Sequence, residues 1–187
     1  HATGVFGITG AGTPEHFNVQ SDVDIVVTSA SKGLGTFGGI VAGKRELIDL
    51  LINQSPAFIF TSAIPPDICA ATSAALDILE SEPSRRESLL STAEHVRTSL
   101  IELGFDICGS ESHIIPVLIG DPDVTLAIAD ELILKGIFAL GIRPPTVPNG
   151  SSRLRISLMS SHTDAHIETL LGALSEIRSK FEIRRRS

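Results

Sequence analysis

Ser29-Ala30-Ser31-Lys32-Gly33-Leu34-Gly35 is the stretch on which the reading of this sequence turns. The mostly apolar residues 23–27 lead into it and predict a buried strand. That strand ends among small residues, with one lysine standing between them. Gly33, Gly35, Gly38 and Gly39 follow closely. Glycine lets a backbone pass near a bulky ligand with no Cβ in the way. A lysine so placed has two readings. It is a loop lysine in solvent, or it is a partly desolvated amine, which loses its proton more readily and can attack an aldehyde. The segment alone leaves both open.

Outward from that stretch the chain alternates between short apolar runs and helical patterns. Residues 1–12 are rich in Gly and Thr and read as a loop, with a short helix expected over 14–17. Residues 39–43 predict the next strand, 44–53 a helix, and the apolar run 57–60 another buried strand that ends in Thr61 and Ser62. Pro65 and Pro66 suit the first turn of a helix, where a missing N–H costs little, and that Ala-rich helix runs to about residue 80. The expected domain boundary falls between residues 82 and 83. Ser84 and Glu87 form a capping-box pattern. Leu89, Ala93, Val96 and Leu100 then mark one helical face, which Gly104 ends. Strands are expected over 114–119 and 137–142, with a helix over 124–135 between them. Residues 153–158 alternate strictly, with Leu154, Ile156 and Leu158 on one face and Arg153 and Arg155 on the other. Ile167, Leu170, Leu171, Leu174 and Ile177 predict a final amphipathic helix. The second half reads as a small α+β domain, its helices on one face of a mostly antiparallel sheet.

Composition bounds the function. The 187 residues are 42% hydrophobic and 20% charged, which predicts a folded chain. With no Trp or Tyr and 8 Phe, the core must be aliphatic. A formal net charge of -7 argues against nucleic acid as a partner. The basic end, Arg184 to Arg186, reads as a frayed polar tail. Cys69 and Cys108 have no metal-ligand spacing, so a reducing compartment, the cytoplasm, is expected. No apolar run is long enough to span a membrane. The chain opens with His1 inside a loop rather than with a start residue, so it reads as the C-terminal part of a longer protein.

Four stretches line up together: His-Ala-Thr-Gly at 1–4, the lysine segment at 29–35, Phe-Thr-Ser-Ala-Ile-Pro-Pro at 60–66, and Arg-Pro-Pro-Thr-Val-Pro at 143–148 leading to Arg-Leu-Arg-Ile-Ser-Leu at 153–158. In this order the chain resembles the α-oxoamine synthases, fold-type-I pyridoxal-phosphate enzymes, over nearly its whole length. The resemblance implies an α/β fold: the C-terminal part of an aminotransferase-like large domain over 1–82, then a small α+β C-terminal domain over 83–187. The Arg-Pro-Pro-Thr-Val-Pro segment points to the branch acting in biotin synthesis. There an amino acid, expected to be L-alanine, condenses with a pimeloyl thioester of CoA or a carrier protein, with loss of CO2.

The resemblance also implies roles. Lys32 is the expected Schiff-base lysine and proton shuttle. His1 matches the end of the family's Asp-Glu-Ala-His and would bond the phenolic oxygen of pyridoxal phosphate. Ser29 stands where the family usually has Thr and would contact the phosphate. Thr61 and Ser62 would reach the phosphate of the neighbouring subunit, which implies a homodimer with shared sites. Thr146 would contact substrate, and Arg155 would bind the amino-acid carboxylate. The family's aspartate for the pyridine nitrogen would lie before His1, so the chain alone is expected to be inactive.

The plainer readings stand beside these. Arg153 and Arg155 also fit a solvated strand face, and Thr61 and Ser62 fit loop residues or helix caps. His162 and His166, one helical turn apart, have no third metal ligand and read as exposed helix residues; His113 reads as structural. The rival functions are a sister synthase, joining glycine to acetyl or serine to a long acyl chain, and a non-catalytic subunit on the same fold.

Overall fold

The computed structural model describes residues 1–181 and residue 183; the expected tail, Arg184 to Arg186, lies outside the described residues. The chain forms two compact units, His1–Glu87 and Ser88–Ser187.

In the N-terminal unit a glycine-rich loop leads into α1 (Thr13–His16), then a 3-10 turn at Gln20–Asp22. Strand β1 (Ile25–Ser29) pairs antiparallel with β2 (Gly39–Gly43), from Ile25 opposite Gly43 to Ser29 opposite Gly39. Helices α2 (Arg45–Gln54), α3 (Pro56–Ile59) and α4 (Pro66–Ser81) follow. Two expectations are corrected here. The strand before Lys32 is not buried: Val27 is 72% exposed and Ile25 45%. Among the described residues its only strand neighbour is β2, so the pair is a two-stranded ribbon with an uncovered face. Residues 57–60 are not a strand but lie in α3 and its cap. Pro56 stands in the first turn, the N–H groups of Phe58 and Ile59 donate to the Ser55 carbonyl at 3.0 and 2.9 Å, and that of Phe60 donates to the Pro56 carbonyl. A short apolar run carries no period long enough to tell strand from helix. The proline, with its fixed φ and absent N–H, is what favours the helical turn.

The C-terminal unit has the expected core. The stripe Leu89, Ala93, Val96 and Leu100 on α5 (Ser84–Glu102) is buried throughout. The helix is already under way at Ser84, and the Glu87 N–H donates to the Pro83 carbonyl, so the start lies slightly before the expected capping box. β3 (Ile114–Gly120), β4 (Leu140–Ile142) and β5 (Ser152–Ser157) form one sheet in the order β3-β5-β4, antiparallel throughout. One face carries Ile115, Val117, Leu154 and Ile156, all buried. Helix α6 (Pro122–Leu134) packs on the sheet, and a Cβ at Gly141 would touch its Thr125, Leu126 and Ala129. Asp121 starts α6 by accepting from the N–H groups of Asp123 and Val124, both at 2.9 Å. At its far end the N–H groups of Gly136 and Ile137 turn back to Ile133 and Leu132, with Gly136 at φ +78. That cap uses Ile137, the residue expected to open the next strand, and β4 begins only at Leu140. α7 (Asp164–Phe181) buries Ile167, Leu170, Ala173, Leu174 and Ile177.

Candidate functional site

Lys32 sits in the connection between β1 and β2, and hydrogen bonds fix the shape of that connection. Ala30 donates to Gly38, Thr36 to Ala30 and Gly35 to Lys32, each at 2.9 Å. Ala30 and Leu34 turn inward and are buried, while Lys32 between them is exposed. The Ser29 and Ser31 hydroxyls lie 2.8 Å apart, and the Ser31 N–H donates to Ser29 Oγ at 3.3 Å. The Thr36 hydroxyl meets that of Thr72 on α4 at 2.9 Å. Gly33 is held against Thr3: a Cβ there would collide with the Thr3 carbonyl oxygen. Two stretches far apart in sequence, 1–4 and 29–35, are thereby brought together.

The remaining expected residues of this unit are exposed. His1 opens the glycine-rich loop. Thr61 and Ser62 lie in the irregular link between α3 and α4. Ile64 of that link lies over the lysine loop, its Cδ1 3.3 Å from where a Cβ on Gly38 would stand.

Thr146 and Arg155 belong to the C-terminal unit. Thr146 is exposed in the turn after β4, its N–H donating to the Arg143 carbonyl at 3.1 Å. Arg155 lies on the sheet face opposite Leu154, between Pro116 on β3 and Leu140 on β4. The two arginines of β5 differ: Arg153 Nε donates to the Ser151 carbonyl at 2.9 Å, whereas Arg155 lines a cavity of about 600 Å³. Phe138, Leu140 and Met159 give that cavity apolar walls, and His162 and His166 line it too. Burial, helped by the nearby Arg155 guanidinium, holds His113 below the usual imidazole range.

His162 and His166 are corrected in part. His162 precedes α7 and is half-buried, and His166 alone is an exposed helix residue. Both rings accept through Nδ1, from the N–H groups of Met159 and Thr163, each at 3.2 Å. Among the described residues no group of three His, Cys, Asp or Glu is placed to hold a metal ion. Sequence reasoning missed Ser31, although it stands inside the quoted stretch. It also missed Glu15, whose partners lie in the glycine-rich loop, and Arg86, which bonds both that loop and α4.

The aminotransferase class I and II family matches residues 1–174, and the chain belongs to that family. Within it, the chain is similar to the 8-amino-7-oxononanoate synthase of Anaeromyxobacter dehalogenans, 44% identical over 95% of this chain and 45% of that protein. A solved 8-amino-7-oxononanoate synthase of Francisella tularensis shares 25% identity and a TM-score of 0.84 over 97% of this chain and 53% of that one. A solved serine palmitoyltransferase of Sphingomonas wittichii shares 28% identity and a TM-score of 0.93, over 98% of this chain and 46% of that one. The resemblance to α-oxoamine synthases and the fold-type-I architecture are thus borne out. The chain spans about half the length of the curated relatives it matches.

Proposed function

We propose that this chain is the lysine-bearing part of a pyridoxal-phosphate acyltransferase, one that condenses L-alanine with a pimeloyl thioester and releases CO2 and the carrier thiol. The observation that carries the reading is Lys32, exposed on a loop pinned at Ala30, Gly33 and Leu34, in a chain 44% identical to an 8-amino-7-oxononanoate synthase. The residues present fit the coenzyme. The Ser29 and Ser31 hydroxyls, 2.8 Å apart, suit an anionic phosphate, and the space a Cβ on Gly35 would take is open. Bound there, pyridoxal phosphate would supply an electron sink for charge developing on the amino acid's α-carbon.

This chain's residues do the rest. Lys32 Nζ would hold the coenzyme covalently and, once the amine of the incoming amino acid has displaced it, would as a free amine take the α-proton and later return a proton to the product. Ser29 donates to the phosphate and His1 to the phenolic oxygen. Thr61 and Ser62 reach the phosphate held by the partner subunit of a homodimer. Thr146 touches substrate, and the Arg155 fork binds the carboxylate. Residues 1–82 are then the last part of the coenzyme-binding large domain, and 83–187 the small domain. No described helix is long and apolar enough to cross a membrane.

A second reading, serine with a long acyl chain, is favoured by the TM-score of 0.93 to serine palmitoyltransferase. Turnover with alanine and pimeloyl thioester against serine and palmitoyl thioester separates the two. The direct test is borohydride reduction of the full-length, coenzyme-loaded protein, followed by peptide mapping. The coenzyme is expected on Lys32, and its recovery on Lys44 instead overturns the reading.

A further inference from the structure

We infer that Glu15 and Arg86 are positioning residues for Lys32, acting through the glycine-rich loop. The inference rests on Lys32 being the coenzyme lysine. Its starting point is where the N-terminal unit is buried at all. Among its described residues, the buried ones are Val5, Gly10, Gly12, Ala30, Leu34 and Arg86. They belong to the glycine-rich loop, to the lysine loop, and to one cation behind the first.

Glu15 grips the loop from within. Its Oε1 accepts from the Thr9 N–H at 3.0 Å, and its Oε2 accepts from the Thr9 hydroxyl and the Ala11 N–H, both at 3.1 Å. These bonds, with Arg86 nearby, hold its carboxyl below the usual range. The loop closes so tightly around this carboxylate that a Cβ at Gly7 would strike it. Arg86 fastens the loop to α4: Nη2 donates to the Ile8 carbonyl at 2.8 Å, and Nη1 to the Leu79 carbonyl at 2.5 Å. A guanidinium is suited to this, because its fork spans two carbonyls at once.

From the clamp the contacts run on to the lysine. Gly12 lies against Ala2 and Thr3, 3.5 Å separating the Thr3 nitrogen from the place of a Gly12 Cβ. The Gly4 N–H donates to the Gly10 carbonyl at 2.8 Å. Thr3 and Gly4 in turn form the surface on which Gly33, the residue after Lys32, rests. Removing the acceptors at Glu15 frees residues 9–12, then 2–4, and then the support under the lysine loop.

The test is amide hydrogen exchange on the full-length protein without coenzyme, followed by the rate of pyridoxal-phosphate capture. Glu15→Ala and Arg86→Ala are expected to raise exchange at Ala30, Gly35 and Thr36 about tenfold, as for a locally loosened segment. Both variants should slow capture while leaving the KM for the amino acid unchanged. Glu15→Gln keeps one oxygen acceptor, Arg86→Lys keeps the charge, and Thr9→Val removes only the hydroxyl; these milder variants should fall between. Loosening confined to residues 5–12, with 30–36 as protected as before, overturns the inference. So does a Glu15→Gln protein whose 30–36 segment exchanges as fast as that of Glu15→Ala. The exchange measurement involves no coenzyme, so its failure removes the clamp alone. Failure of labelling at Lys32 in the unsubstituted protein removes the underlying reading.

Discussion

The two units of this chain are ordered by different means. In the C-terminal unit Val96, Leu100, Ile115, Val117, Leu132, Leu154, Leu174 and Ile177 are fully buried, and a sheet with two distinct faces organises them. In the N-terminal unit the buried apolar residues among those described are Val5, Ala30 and Leu34, while Val27, Phe37, Phe58 and Phe60 stand largely in solvent. There the ordering falls to hydrogen bonds on backbone: Glu15 on Thr9 and Ala11, and Arg86 on Ile8 and Leu79. The difference teaches where precision comes from. Apolar burial is strong but undirected. Bonds to backbone groups are individually modest, yet they fix where a loop lies. The lysine loop belongs to the second kind of order.

The sharpest way to break this contrast is a matched pair of truncations in the 187-residue chain. Leu154→Ala should lower the unfolding free energy in urea by about 2–5 kcal/mol, the range for a buried leucine. Val27→Ala, on the exposed ribbon, should cost less than about 0.5 kcal/mol. Equal losses at the two sites would mean that the N-terminal unit has a core after all.

A second comparison lies within β5. In the full-length enzyme, Arg155→Ala should raise the KM for the amino acid roughly 10- to 100-fold, matching a lost charge-assisted hydrogen bond of about 1.5–3 kcal/mol. Arg153→Ala, whose Nε is engaged by the Ser151 carbonyl, should raise it far less. The thioester KM should change little in either variant. A larger defect at Arg153 would reassign the carboxylate to that residue.

The smallest effect is expected with pH. Burial, with His166 adding to it, holds His162 below the usual imidazole range. The unfolded chain therefore takes up this proton before the folded one does. The stability tied to neutral His162 is present above about pH 6.5, the ordinary value, and is lost as pH falls through the lower folded value. Protonation also removes the acceptor for the Met159 N–H. Exchange at Met159, corrected for the intrinsic rate, should rise a few-fold between about pH 7 and pH 5 as this local structure opens. A flat profile would show that this part of the lining of the Arg155 cavity is held by something else.

How much of this was legible in the sequence follows the same division. The strict alternation of residues 153–158 named both faces of β5, and the spacing Leu89, Ala93, Val96, Leu100 named the buried stripe of α5. Both patterns express contacts with a core that the C-terminal unit contains. The run at 23–27 is also mostly apolar, and its residues 25–27 open β1, but composition cannot report whether anything covers it. The four residues 57–60 were too few to show a period, and Pro56 outweighed their strand-like character. For the site, Lys32, Ser29, Thr61, Ser62, Thr146 and Arg155 are proposed from the resemblance of their segments to the family. Glu15 and Arg86 carry no local signal, because their partners are defined only once the glycine-rich loop has closed. Gly33 is intermediate: a glycine beside the lysine suggests room for a ligand, whereas the nearest obstacle is the chain's own Thr3 carbonyl.

The β1–β2 ribbon has a further consequence. Neither of its outer edges is paired with a strand among the described residues, so each presents backbone donors and acceptors to whatever strand arrives first. Arrival is a competition between tethered and free segments. A strand on the same polypeptide is present at an effective concentration on the order of millimolar, well above that of free chains in dilute solution. The ribbon thus favours completion by its own chain wherever a suitable strand is attached, and it turns to its neighbours when none is.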